Sequence, residues 1–257
     1  MYWQKGGLGS IRLVKEEPET AGLALRGKTA IITGGSRGIG LAVARRLYNL
    51  GAAVAVCARS AERLEQALKD LTGRGTRVLA IAADVTQAEQ VYSFVDRVTT
   101  AMGPIDILVN NAGVGIFGPF HERSEFEWET VLNTNLKSVF LMSRAVAPEM
   151  IRRRTGQIVN ISSLAGKSAF AGGGIYCASK WGLMGLTGCM AEELRAYGIR
   201  VSVVCPGSVA TEFSPHAGRD LTKLLQPDDV AHAVAMLATE GAQSFISEVD
   251  LRPRQKT

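Results

Sequence analysis

The chain has 257 residues, 46% of them hydrophobic, with 28 glycines against 8 prolines and a net charge of +5. That composition belongs to a folded α/β unit with a sizeable core and excludes a disordered or fibrous protein. No stretch approaches the roughly 18 consecutive apolar residues that a bilayer demands, nothing near Met1 resembles a signal peptide, and the positive charge is too dispersed for a nucleic-acid surface. Cys57, Cys177, Cys189 and Cys205 are scattered, with no CxxC and no pairing with the histidines. They argue against a metal site and for the reduced thiols of a cytoplasmic protein.

Residues 1–25 are mixed in charge and read as an N-terminal extension, leaving 26–257 as one unit. From Lys28 onward, short runs rich in Val and Ile alternate with longer runs of helical period. KTAIIT at 28–33 predicts a buried strand and 39–50 a helix; AAVAVCA at 52–58 predicts a second strand, and AERLEQALKDL after it has helical spacing. RVLAIAAD at 77–84 predicts a third strand with a helix through Val98, and DILVNNAG at 106–113 a fourth, followed by one long helix over 125–153. GQIVNISS at 156–163, IRVSVVCPG at 199–207 and SFISEVDLR at 244–252 predict strands five to seven. Strands that are apolar throughout and alternate with helices indicate a doubly wound α/β fold, a parallel sheet covered on both faces. Such sheets bind ligands beyond the carboxyl ends of their strands, so the chemistry is expected there.

The first strand end reads TGGSRGIG, Thr33 to Gly40. Gly34, Ser36, Arg37, Gly38, Ile39 and Gly40 form a candidate cradle in which backbone N–H groups and a helix N-terminus approach a pyrophosphate. A plain strand-to-helix turn would also use these glycines, and the spacing departs from GxGxxG. The position after a predicted strand and before a predicted helix favours the dinucleotide. In NAD-binding units an acidic residue about 20 positions on holds the ribose hydroxyls. Here the second strand ends in Ala58, followed by Arg59 and Ser60. Arg37 and Arg59 without a carboxylate suit a 2′-phosphate, since arginine offers a planar donor fork. NADP (NADPH) is therefore the expected cofactor; the competing reading is two solvated surface arginines.

LVNNAG at the fourth strand end, VNISSLAG at the fifth and YCASK beyond it complete a set. With the glycine loop, they make the chain resemble the short-chain dehydrogenase/reductase family from about Lys28 through Pro206-Gly207 and more loosely to Asp250. The resemblance implies a Rossmann-type sheet of about seven strands. On one helix, Tyr176 and Lys180 would share a face. The ammonium, with the positive nicotinamide of an oxidised cofactor, is expected to lower the phenol from its usual pKa near 10. Tyr176 would then give a proton to a carbonyl oxygen as hydride reaches its carbon. By resemblance, Ser163 binds the substrate carbonyl, its spacing to Tyr176 favouring it over Ser162. The resemblance also implies that the backbone of Asn135, rather than that of Asn133, would hold a water leading to Lys180. The same resemblance places Asp84 and Val85 at the adenine, Asn111, Ala112 and Gly113 at the adenosine ribose, and Pro206, Gly207, Val209 and Thr211 at the nicotinamide.

Among family members the motifs resemble 3-oxoacyl-(acyl-carrier-protein) reductases, which implies a carrier-bound or small-molecule carbonyl substrate. Arg153 and Arg154 are candidate contacts for the acidic carrier, or simply the cationic last turn of a helix. Departures from those reductases are the ending SEVDLRPRQKT, a short polar segment between Thr211 and Pro227 that suggests an open pocket, and Trp181 after the lysine, which could be plain helix packing. Other ketones, aldehydes, sugars or steroids remain alternatives, as does a non-catalytic NADP-binding sensor. Relatives imply a homotetramer, and the altered tail leaves a homodimer open.

Overall fold

The computed structural model describes residues 23–69, 71, 77–213 and 220–255. Most of the expected extension, 1–22, lies outside them. Leu25 already belongs to the core: it is 3% exposed and its N–H donates to the Leu50 carbonyl at 2.8 Å.

The elements run β1 (Thr29–Thr33), α1 (Gly38–Asn49), β2 (Ala53–Ala58), α2 (Ala61–Lys69), β3 (Val78–Ala82), α3 (Ala88–Met102), β4 (Ile107–Asn110), α4 (Glu125–Leu132), α5 (Ser138–Arg153), β5 (Gly156–Ile161), α6 (Gly174–Arg195), β6 (Ile199–Pro206), α7 (Pro227–Ala238) and β7 (Glu248–Leu251). The strands form one parallel sheet of seven in the order β3-β2-β1-β4-β5-β6-β7. The order reverses beside β1, and the crevice between β1 and β4 is where a doubly wound sheet receives its ligand.

Alternation along each strand divides the core in two. Ala30 and Ile32 of β1 face one layer with Val43 and Leu47 of α1, Leu64 of α2 and Val234 of α7. Ile31 faces the other with Phe94 of α3, Met142 of α5 and Leu194 of α6. Because both faces are covered there, β1, β2 and β3 read as nearly continuous apolar runs, whereas edge strand β7 exposes Glu248 and Asp250.

Several expected element ends change: the third strand, expected over 77–84, is Val78–Ala82, and the seventh, expected over 244–252, is Glu248–Leu251. Strands four and five stop at Asn110 and Ile161, short of the predicted 113 and 163. The residues beyond leave the ladder to build the cleft. The predicted single helix over 125–153 opens into a wide π-helical turn at Asn133–Lys137. There the buried Asn135 amide accepts from Val114 N–H at 2.8 Å and donates to the Val114 carbonyl at 2.9 Å and to Ser179 Oγ at 3.0 Å. Tertiary bonds hold the π turn, a distortion that concentrates at functional sites. Helical periodicity alone carries no sign of them.

A buried polar chain fixes α6 to the sheet. Asn110 Nδ2 donates to Asn160 Oδ1 at 2.9 Å, Asn160 Nδ2 to Thr187 Oγ1 at 2.9 Å, and Thr187 Oγ1 to the Leu183 carbonyl at 2.7 Å. Amides buried in a low-dielectric interior are costly unless paired, so this chain sets one register for the helix.

Candidate active site

The carboxyl ends of the strands surround one cleft of about 990 Å³. At its floor β1 turns into α1 through glycines that admit no side chain. Gly34 and Gly38 have φ of +67° and +53°. A Cβ at Gly40 would stand 2.3 Å from the Gly34 carbonyl oxygen. Asn111 locks the turn, its N–H donating to Thr33 Oγ1 at 3.0 Å and its amide to the Thr33 carbonyl at 2.9 Å. Its side chain is thus consumed within the protein. The loop is shaped for close backbone approach to an anion at the head of α1.

Every expected cofactor residue except Gly40 lines the cleft, and Gly40 lies beneath it in the turn: Ser36, Arg37, Ile39, Arg59, Ser60, Asp84, Val85, Ala112, Gly113, Pro206, Gly207, Val209 and Thr211 are all at its wall. Arg63, in the first turn of α2, joins Arg37 and Arg59 there. The sequence reading missed it, although its spacing of four from Arg59 was a visible signal. Arg37 pairs with Glu212 across the mouth. The Asp84 carboxylate is held in a turn by Thr86 N–H at 2.9 Å and Thr86 Oγ1 at 2.8 Å. A glycine turn with no room for a Cβ at Gly35 or Gly40, in a cleft with arginines where an NAD site would carry an acid, fits a dinucleotide with a 2′-phosphate.

Deeper in the cleft, Tyr176 and Lys180 stand on α6, with the Lys180 Nζ 5.8 Å from the centre of the Tyr176 ring. Nζ donates to the Ile161 carbonyl at 2.9 Å. Ser163 Oγ accepts from Ala165 N–H at 3.1 Å and donates to the Pro206 carbonyl at 3.4 Å. Ser162 also lines the cleft, but its Oγ is buried with no partner among the described residues. The side chains of Ser163, Tyr176 and Lys180 therefore converge, and Asn135 is held below them through Ser179.

The electrostatics differ from the expectation. Burial pushes the Tyr176 phenol up to about 12, outweighing the Ser163 hydrogen bond that lowers it. Burial pushes Lys180 down to about 8, against a small upward pull from Cys205. Desolvation opposes charge on both groups, so the protein alone does not acidify the phenol through Lys180.

Away from the cleft, Arg153 bonds Asp106 Oδ1 at 2.8 Å and Arg154 the Ala196 carbonyl at 3.0 Å, both near the amino ends of β4 and β5. Trp181 is 52% exposed and does not pack into the subunit core. In the unusual tail, Glu248 and Asp250 share one face of β7 and both hold Lys167, Asp250 at 2.5 Å. Burial lowers Lys167, but its hydrogen bonds to Asp250 and Glu248 prevail and raise it to about 12. The ion pairs tie the segment after Ser163 to the last strand. Among the described residues, no group of His, Cys, Asp and Glu could hold a metal ion, and no helix is long and apolar enough to cross a membrane.

The glycine turn, the parallel sheet and the serine, tyrosine and lysine at its crevice define a nucleotide-dependent oxidoreductase fold, and the chain belongs to the short-chain dehydrogenase family, whose model matches residues 28–222. It is 39% identical over 214 residues to the ketoacyl reductase HetN of Nostoc sp., covering 82% of this chain and 75% of that protein. It is 36% identical over 227 residues to the 3-oxoacyl-(acyl-carrier-protein) reductase FabG of Staphylococcus aureus, covering 84% of this chain and 92% of FabG. A metagenomic short-chain oxidoreductase solved in complex with NADP superposes with a TM-score of 0.81 at 45% identity, over 91% of this chain and 100% of that one. An alcohol dehydrogenase from Thermococcus sibiricus complexed with 5-hydroxy-NADP superposes with a TM-score of 0.82 at 33% identity, over 90% and 98%.

Proposed function

We propose that the protein is an NADPH-dependent reductase that converts a ketone to a secondary alcohol, with 3-oxoacyl thioesters as its substrate kind. The observation that carries this reading is the convergence of Ser163, Tyr176 and Lys180 in the cleft that also holds the glycine turn and the arginines. Bound NADPH supplies the hydride. Gly34, Gly38 and the head of α1 receive its pyrophosphate, and Arg37, Arg59 and Arg63 its 2′-phosphate. Ser163 donates to the substrate carbonyl oxygen and stabilises the charge that grows there. Tyr176 gives that oxygen its proton.

The phenol, near 12, starts protonated at pH 7 as this direction requires, and its burial makes it a weaker acid than a free tyrosine. Lys180, near 8, exchanges protons at working pH and can restore the one that Tyr176 gives up. A non-catalytic sensor would need neither group. The thioester preference rests on the likeness to HetN and FabG. As for a carrier protein, Arg153 is held by Asp106 and Arg154 by the Ala196 carbonyl, both at the end of the sheet away from the cleft, which favours the helix-end reading of these arginines over docking.

The assay is NADPH oxidation with 3-oxoacyl thioesters and simple ketones, run beside Tyr176→Phe. Turnover that disappears in the variant while NADPH still binds supports the reductase. Binding with no turnover of any carbonyl refutes it.

A further inference from the structure

The wall around Tyr176 narrows the substrate class. Phe117 follows β4, Phe170 follows β5 and Phe213 follows β6, and all three line the cleft with Ser163 and Lys180. The Phe117 ring meets Tyr176 edge-on at 5.3 Å and 62°. The Phe213 ring lies 5.8 Å from Tyr176, and Phe170 lies 6.2 Å from Phe117 at 38°. Phe170 and Phe213 keep 49% and 38% of their surface exposed, so aromatic area faces the cleft instead of being spent in the core.

The rings have prepared seats. A Cβ on Gly115 would come within 2.8 Å of the Phe117 ring and 2.9 Å of the Phe213 ring; on Gly173 it would reach 2.5 Å from the Phe170 ring. Glycine at these positions lets the aromatic faces lie against backbone. Two charged groups of the same cleft are otherwise engaged: Glu212 pairs with Arg37, and Lys180 is buried on the Ile161 carbonyl. The segment after Thr211, expected from sequence to be polar, thus presents a phenylalanine to the reacting site.

We propose that the substrate carries a planar aromatic or conjugated ring next to its reacting carbonyl, held by Phe117, Phe170 and Phe213. The inference rests on the reading of Tyr176 as the proton donor of a carbonyl reduction. In that step hydride from NADPH adds to the carbonyl carbon, the carbonyl oxygen takes the Tyr176 proton, and NADPH leaves as NADP⁺. An alkyl chain in the same place gains only from burial. A ring adds edge and offset-face contacts, each worth about two- to tenfold in affinity.

The test compares propiophenone with cyclohexyl ethyl ketone, which match in carbon count and differ in planarity. The wild type is expected to show a KM at least about fivefold lower for propiophenone. Phe117→Leu and Phe213→Leu are expected to shrink the ratio of kcat/KM between the two ketones by about fivefold. Comparing that ratio between wild type and variant cancels the intrinsic difference in reactivity. Equal KM values in the wild type, or a ratio that both variants leave intact, overturn the ring-binding proposal while the reductase stands. Failure to turn over either ketone or any thioester, with NADPH bound, overturns the reductase itself and the ring proposal with it.

Discussion

Lys180→Met should stabilise the protein at neutral pH while abolishing turnover. The lysine is 5% exposed, and its pKa falls from 10.5 to about 8 because burial disfavours the charged form. At about 1.4 kcal/mol per pH unit, carrying that charge costs the folded state about 3 kcal/mol at pH 7. Methionine matches the stem and removes the charge, but it also removes the bond to the Ile161 carbonyl at 2.9 Å, worth about 1 kcal/mol. The expected net gain is about 2 kcal/mol at pH 7, or roughly 4–8 °C in Tm for a domain of this size. The unfolded lysine keeps its proton up to about 10.5 and the folded one loses it near 8. Wild-type stability from this group therefore rises with pH between those values. The variant's advantage should shrink across that window and turn into a loss of about 1 kcal/mol above it. Urea unfolding at pH 7 and pH 10.5, at matched protein concentration, reads both ends. A variant less stable at pH 7, or a difference that does not change with pH, would refute the desolvation argument.

Arg37→Ala with Arg59→Ala should raise the KM for NADPH by about tenfold or more and leave that for NADH nearly unmoved, because only NADPH loses a charge-assisted bond to its 2′-phosphate. Glu212→Gln removes the acidic partner of Arg37 at the cleft mouth and should tighten NADPH by about two- to fivefold, measured by fluorescence titration at low salt, with the gain fading as salt rises. Thr187→Val leaves Asn160 Nδ2 buried without its acceptor and should cost about 1–3 kcal/mol in urea unfolding. Phe140 and Trp181 are 46% and 52% exposed on α5 and α6, which favours assembly through that face. Trp181→Lys is expected to lower the mass seen by light scattering, and an unchanged mass would place the interface elsewhere.

Local order was legible in the chain. Alternating apolar runs imply a parallel sheet, glycines at a strand end imply a backbone turn, and a tyrosine four residues before a lysine implies a shared helical face, because each follows from the period of one element. What lies between elements was not. The π turn at Asn135 depends on Val114 and Ser179, more than twenty residues away on either side. The engagement of Arg153 depends on Asp106, and the seat of Phe213 depends on Gly115, far from it in the chain. The tyrosine and lysine were found by spacing, but their charge states were set by the depth at which the sheet and α6 bury them. Sequence by itself determined the fold class and the residue types available for chemistry. Only the tertiary structure decided how dry that chemistry is, because desolvation belongs to the packed assembly and to no single segment.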